Sequence, residues 1–246
     1  MINETYDEEY LALINPKPIE KPKKCDVVIV TFSNEIEEFV KKEYKAEPFN
    51  AFRCVNGKSP VYTFEYKGKT FGFYKTLLGA PASVGMIEEV SPMFDSKKYI
   101  VFGSAGSLCK EHQGKVIVPS FAYRDEGTSY HYQPADDYIC VKNSDRVAQF
   151  MEKYKIPHHV GRVWTTDAFF RETKRNYENR KADGCVAVEM ECSAMQAVCD
   201  FRNLDLYYFL FTGDLLDAPK WDENDLLGAN HNFKNFEIAL HFANEL

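Results

Sequence analysis

Two glutamates one residue apart close a short apolar run in Val186-Ala187-Val188-Glu189-Met190-Glu191. In extended backbone Glu189 and Glu191 face one side and Met190 the other. The C-terminal edge of a strand is where α/β folds receive ligands. A carboxylate there can hold sugar hydroxyls through charge-assisted hydrogen bonds. The same pair also suits a helix N-terminus, which favours negative charge with or without a ligand. Gly103-Ser104-Ala105-Gly106 follows a buried apolar run and reads as a loop after it. Its glycines let backbone approach a ligand, and Ser104 adds a hydroxyl. Small-residue turns after strands are also common without any ligand. Asp214 ends another apolar run, where it can act as a general acid, bind a base nitrogen, or simply cap a turn. Thr165-Thr166-Asp167-Ala168-Phe169-Phe170, followed by Arg171 and Arg175, sets rings beside hydrogen-bonding groups. That set suits a planar heterocycle, or plain core packing with a solvated arginine.

These residues need elements to hold them. Residues 27–31 are β-branched and apolar, which predicts a buried strand, and Asn34 with Glu37 marks a helix start. Residues 61–66 and 70–75 flank Lys67-Gly68-Lys69 as a hairpin. Further strands are expected at 99–102, 116–118, 160–164, 186–188 and 206–212. Helices are expected after Gly79 and at 144–154, 191–202 and 232–244, with a polar loop at 125–134. Such alternation implies one α/β domain around a central sheet, spanning residues 25–246. Residues 1–24 form an irregular lead-in, because Pro16, Pro18 and Pro22 among lysines disfavour regular structure.

The totals narrow the class. A chain of 246 residues with 45% hydrophobic residues can bury a sizeable core. A net charge of −7 argues against a nucleic-acid partner, which needs a basic face. The acidic N-terminus lacks the apolar stretch of a signal peptide, and no apolar run nears the roughly 20 residues that span a bilayer. Seven scattered cysteines without Cys-x-x-Cys indicate neither a disulfide framework nor a zinc site, and suit a reducing cytoplasm. The six histidines lack metal-binding spacing, so no metal or organic cofactor is expected.

Taken in order, these segments resemble the nucleoside phosphorylase/nucleosidase superfamily, from about Val27 to the C-terminus. Val188-Glu189-Met190-Glu191 is similar to the family's Val-Glu-Met-Glu signature, which implies that Met190 and Glu191 grip a ribose. Gly103-Ser104-Ala105-Gly106 resembles its Gly-Ser/Thr-x-Gly loop, with Ser104 between ribose and phosphate and Gly103 beside the phosphate. Residues 167–170 resemble the uridine phosphorylase branch, placing Phe169 on the base and Arg175 at a pyrimidine. Glu189 joins them as a base-binding candidate. Asp214 matches the Asp that protonates or binds a purine, and its spacing to Asp217 is like that of the nucleosidases.

The departures lie at the phosphate. Val101 stands where an arginine is usual, and Glu35 lies near the place of a second. Arg53, Lys58, Lys75 or a neighbouring subunit's lysine are the cations left to compensate. The nucleosidases carry a water-activating glutamate in that first loop, a role that falls on Glu35, with Glu37 and Glu38 as alternatives. The resemblance implies a single α/β domain whose mixed, partly barrel-like sheet is flanked by helices. It further implies a homo-oligomer, either dimer or hexamer, with a nucleoside as the small-molecule partner and phosphate as a co-substrate. The expected reaction is phosphorolysis of a purine or pyrimidine nucleoside to base and ribose 1-phosphate, with Asp214 and Glu35 as catalytic residues. Hydrolysis by water, or nucleoside binding without turnover, are the alternatives.

Overall fold

The computed structural model describes residues 1–55, 57–217, 220–223 and 226–246. Chain order runs β1 (Lys23–Lys24), β2 (Val27–Thr31), α1 (Asn34–Glu43), β3 (Glu47–Cys54), β4 (Gly57–Tyr66), β5 (Lys69–Lys75), α2 (Ala80–Val90) and β6 (Phe94–Asp95). Then come β7 (Lys98–Ser107), β8 (Val116–Asp125), β9 (Tyr138–Cys140), α3 (Ser144–Lys153), β10 (His158–Thr166), α4 (Lys174–Ala182) and β11 (Cys185–Glu189). The chain closes with α5 (Cys192–Phe201), β12 (Asp205–Leu215), α6 (Leu226–His231) and α7 (Phe233–Glu245). Residues 1–22 carry one short helical turn, and Tyr10 lies stacked on Phe201 with Arg202 over its ring.

The main sheet runs β11-β10-β8-β12-β7-β2-β5-β4-β3, with β9 added beside β8. Strand β11 also pairs antiparallel with β7, Ala187 opposite Ser107 and Val188 opposite Gly106. That pairing closes β7, β12, β8, β10 and β11 into a small barrel, and the remaining strands extend from it as an open sheet. All five residues of β2 are buried, because helices cover both its faces. Val84 and Ile87 of α2 join Met195 and Val198 of α5 in the core on one side. Ile36 and Val40 of α1, Val147 and Phe150 of α3, and Phe236 and Leu240 of α7 fill the other.

The loop expected at 103–106 is instead strand. Strand β7 runs on to Ser107, paired with β12 through Ala105 and with β11 at Gly106. Its glycines answer to crowding. A Cβ on Gly103 would lie 3.0 Å from Phe32, and one on Gly106 would lie 2.7 Å from Leu216 and 3.1 Å from Val188. The turn between β4 and β5 places Lys67 and Gly68 at φ 49 and 78, the primed hairpin geometry that matches strand twist.

Phe236 anchors α7. It has no solvent exposure, and its ring meets those of Phe39, Tyr44, Phe64 and Phe73. Replacing Phe236 with Ala should destabilise the fold by about 3–5 kcal/mol through lost burial and the cavity left behind. Urea unfolding of both proteins checks this, and a change under 1 kcal/mol would mean that α7 docks some other way.

Candidate active site

Two segments bring the expected residues together: the bend from β11 into α5, and the ends of β2, β7 and β12. At the bend the two glutamates diverge. Glu189 is buried, and it accepts hydrogen bonds from the Thr165 hydroxyl, the Glu191 and Cys192 backbone N–H groups at 2.7 Å each, and the Tyr208 hydroxyl at 3.3 Å. Internal donors thus take up both of its oxygens. With both oxygens engaged, Glu189 braces the turn. Glu191 is equally buried, but its carboxylate has fewer donors: the Gly79 N–H, 2.6 Å from Oε1, and the Met190 backbone N–H. Gly79 caps α2 at φ 91, a conformation that favours glycine.

Burial raises the pKa of both carboxyls, and the Glu189 charge raises Glu191 further. With four donors around Glu189, the charge of the pair rests there, and Glu191 holds its proton well above the ordinary range. Met190, between them, is partly exposed.

Ser104 sits on β7 and donates from Oγ to Asn230 Oδ1 at 2.5 Å. Asn230 is the penultimate residue of α6, and His231 is the last. His231 Nδ1 lies 2.6 Å from Glu35 Oε2 and 2.7 Å from Ser33 Oγ. Ser33 is also the cap of α1, accepting from the Ile36 N–H at 3.1 Å. Glu35 is exposed, and its own backbone N–H and the His231 imidazole lower its pKa. Ser104 and Glu35, on different strand ends, are thus joined by consecutive residues of one short helix.

Val101 has no solvent exposure and lies within β7 between β2 and β12. Arg53 and Lys58 face each other on the β3–β4 hairpin. Lys75 hydrogen-bonds to Asn34 and lies 3.5 Å from Glu37. Among the described residues, the side-chain partners of Ser104, Ser33 and Glu35 are Asn230, His231 and one another.

On the opposite side Asp214 accepts from Trp221 Nε1 at 2.8 Å, and its other oxygen lies over Gly106. Phe169 is about half exposed, with its ring 4.1 Å from that of Phe170. Arg175 is exposed on α4. Asp217 is held by Lys181 at 3.0 Å and by the Tyr177 hydroxyl at 2.9 Å. Sequence reasoning missed Asn230, His231 and Glu172. The Glu172 carboxyl is pushed up to about 7, by burial first and then by the Asp214 charge. No local pattern marks these residues: His231 meets Ser33 across 198 positions.

The described residues include no helix long and apolar enough to cross a membrane and no cluster of three or more metal-ligating groups. A family model described as the phosphorylase superfamily matches residues 26–239, so the chain belongs to that family. It is 25% identical over 174 residues to a DeoD-type purine nucleoside phosphorylase of Exiguobacterium sp., covering 69% of this chain and 72% of that protein. A 5'-methylthioadenosine/S-adenosyl homocysteine nucleosidase of Campylobacter jejuni shares the fold with a TM-score of 0.72. Its identity is 17%, over 92% of this chain and 100% of that one. The futalosine hydrolase of Helicobacter pylori strain 26695 shares it with a TM-score of 0.71 and 15% identity, over 91% and 98%.

The paired glutamates should leave a mark on stability. A carboxyl whose folded pKa exceeds its ordinary 4.5 binds more protons folded than unfolded. Stability is therefore full at low pH and declines as pH rises from 4.5 until Glu191 ionises, by at most about 1.4 kcal/mol per pH unit per proton. Glu191→Gln should flatten that decline and leave a residual slope from Glu172. Urea unfolding across the window is the measurement, and an unchanged slope would show that Glu191 is ionised in the fold.

Proposed function

We propose that this member of the phosphorylase superfamily hydrolyses the N-glycosidic bond of a purine nucleoside, with water as the nucleophile. The observation that carries the reading is the corner beside Ser104. There an ionised carboxylate, Glu35, is fixed by Ser33 and His231, and an apolar core residue, Val101, stands where the family's arginine is usual. A carboxylate repels phosphate but accepts a proton from water. The likeness to a nucleosidase and a hydrolase supports the same choice.

In this reading Glu191 and Met190 hold the ribose, with Glu191 free to donate from the oxygen not engaged by Gly79. Phe169 packs on the base. As the C1′–N bond lengthens, positive charge builds on the ribose as in glycoside hydrolysis. Asp214 and Glu172 flank the departing base, and the proton it needs comes from this carboxyl pair. Water adds to C1′ and gives its proton to Glu35. Ser104, with its hydroxyl hydrogen committed to Asn230, keeps lone pairs free to accept from that water. A purine is favoured because the curated relative is named a purine nucleoside phosphorylase and Arg175 stands exposed on α4.

Phosphorolysis is the second reading, favoured by that same relative and by Lys75 at the end of β5, close to α1. A homo-oligomer accords with the exposed apolar groups Leu78, Phe169 and Phe170 that flank these residues in the chain.

Base release from purine nucleosides, followed by chromatography with and without phosphate, separates the two chemistries. Equal rates with free ribose as product are expected. Rates that scale with phosphate and yield ribose 1-phosphate would overturn the hydrolytic reading. Glu35→Gln should lower kcat by about 10²–10⁴-fold with little change in KM.

A further inference from the structure

Two neighbouring side chains of α6 reach two different strand ends. Asn230 takes the Ser104 hydroxyl of β7, and His231 takes Glu35 and Ser33 where β2 turns into α1. We infer that His231 is a positioning residue that holds Glu35 ionised and aimed, and so makes α6 part of the nucleophile corner. The inference rests on the hydrolytic reading for its role in turnover, but the contact between the two side chains stands on geometry alone.

The hydrogen-bond inventory fixes the arrangement. Ser33 Oγ accepts from the Ile36 N–H at 3.1 Å and donates to Glu35 at 3.2 Å. Its hydrogen is therefore directed at the carboxylate. His231 Nδ1 faces that same carboxylate at 2.6 Å and the same hydroxyl oxygen at 2.7 Å. A lone pair on Nδ1 would meet two electron-rich oxygens, so Nδ1 carries hydrogen. The ring therefore gives Glu35 an N–H donor where the family's arginines are missing.

The other charged groups around this corner are paired elsewhere or stand exposed to solvent. Glu37 on α1 accepts from the Tyr62 hydroxyl at 3.0 Å and pairs with Lys75 of β5 at 3.5 Å. Glu38 pairs with Lys41 at 2.7 Å, and Lys234 is exposed at the start of α7. Of these groups it is His231 that sits within hydrogen-bond reach of the Glu35 carboxylate.

Two measurements test the pairing. NMR of the His231 ring nitrogens in wild type and in Glu35→Ala reads the contact without any substrate. Wild type should carry hydrogen on Nδ1; loss of the carboxylate frees the Ser33 hydroxyl to donate to Nδ1, so the hydrogen should move to Nε2. An unchanged tautomer overturns the inference, whatever the enzyme turns over. The pH profile of nucleoside cleavage by His231→Gln, which keeps a hydrogen-bonding side chain but no charge, reads the role. The limb set by Glu35 protonation should move to higher pH, and kcat below neutrality should fall about 10-fold with KM unchanged. A profile that matches wild type would reduce His231 to a structural contact. If wild type cleaves no nucleoside, the hydrolytic reading fails, and the NMR comparison still decides the pairing.

Discussion

A carboxylate sealed from water must be surrounded by donors, and Glu189 imposes that requirement on the middle of the molecule. Its partners come from β10, from the first turn of α5 and from β12. Satisfying it therefore fixes how three elements meet. The bend it holds places Glu191 against the N-terminus of α2 through the Gly79 N–H. It also sets the end of β11, the strand that closes the barrel onto β7. A side chain sealed inside the fold thus decides where Glu191 stands.

Three glutamates and their neighbours show one residue type tuned in opposite directions. Glu35 lies in the open beside an imidazole, and its pKa falls. Glu191 and Glu172 are withdrawn from water next to other carboxylates, and theirs rise. Titratable groups pushed apart in this way are how one site runs base chemistry and acid chemistry at the same pH. Here the carboxylate held ionised lies where β2 turns into α1, and the carboxyls pushed up lie at the start of α5 and beside Asp214.

Much of this was legible where burial writes a pattern. Val27–Thr31 reads as a strand because every position is apolar or β-branched, and α3 reads as a helix because Val147, Phe150 and Met151 recur on one face. Strand β3 escaped because Pro48 and Asn50 interrupt it and much of it is exposed at the sheet edge. Helix α4 buries none of its residues, so it has no stripe to find, and α6 is only six residues long. Within the site, Glu191, Ser104, Asp214 and Glu35 could be picked from spacing and resemblance. What separates Glu189 from Glu191 could not, because it depends on Thr165 and Tyr208, 24 and 19 positions away. The apparent loop at 103–106 misled because its glycines look like flexibility, whereas Phe32 and Leu216 require them for lack of room.

The burial of Val101 has a consequence in evolutionary time. It lies in the same core cluster as Val30, Tyr74 and Tyr99, with no solvent exposure. An arginine arriving there by single substitution would be a guanidinium dissolved in hydrocarbon, and the fold would fail before any anion could be recruited. Placing a charge at this position would demand that neighbours of Val101 shrink first, changes with no benefit of their own. Packing at one position therefore acts as a ratchet, and any chain that shares this core must draw its cations from elsewhere.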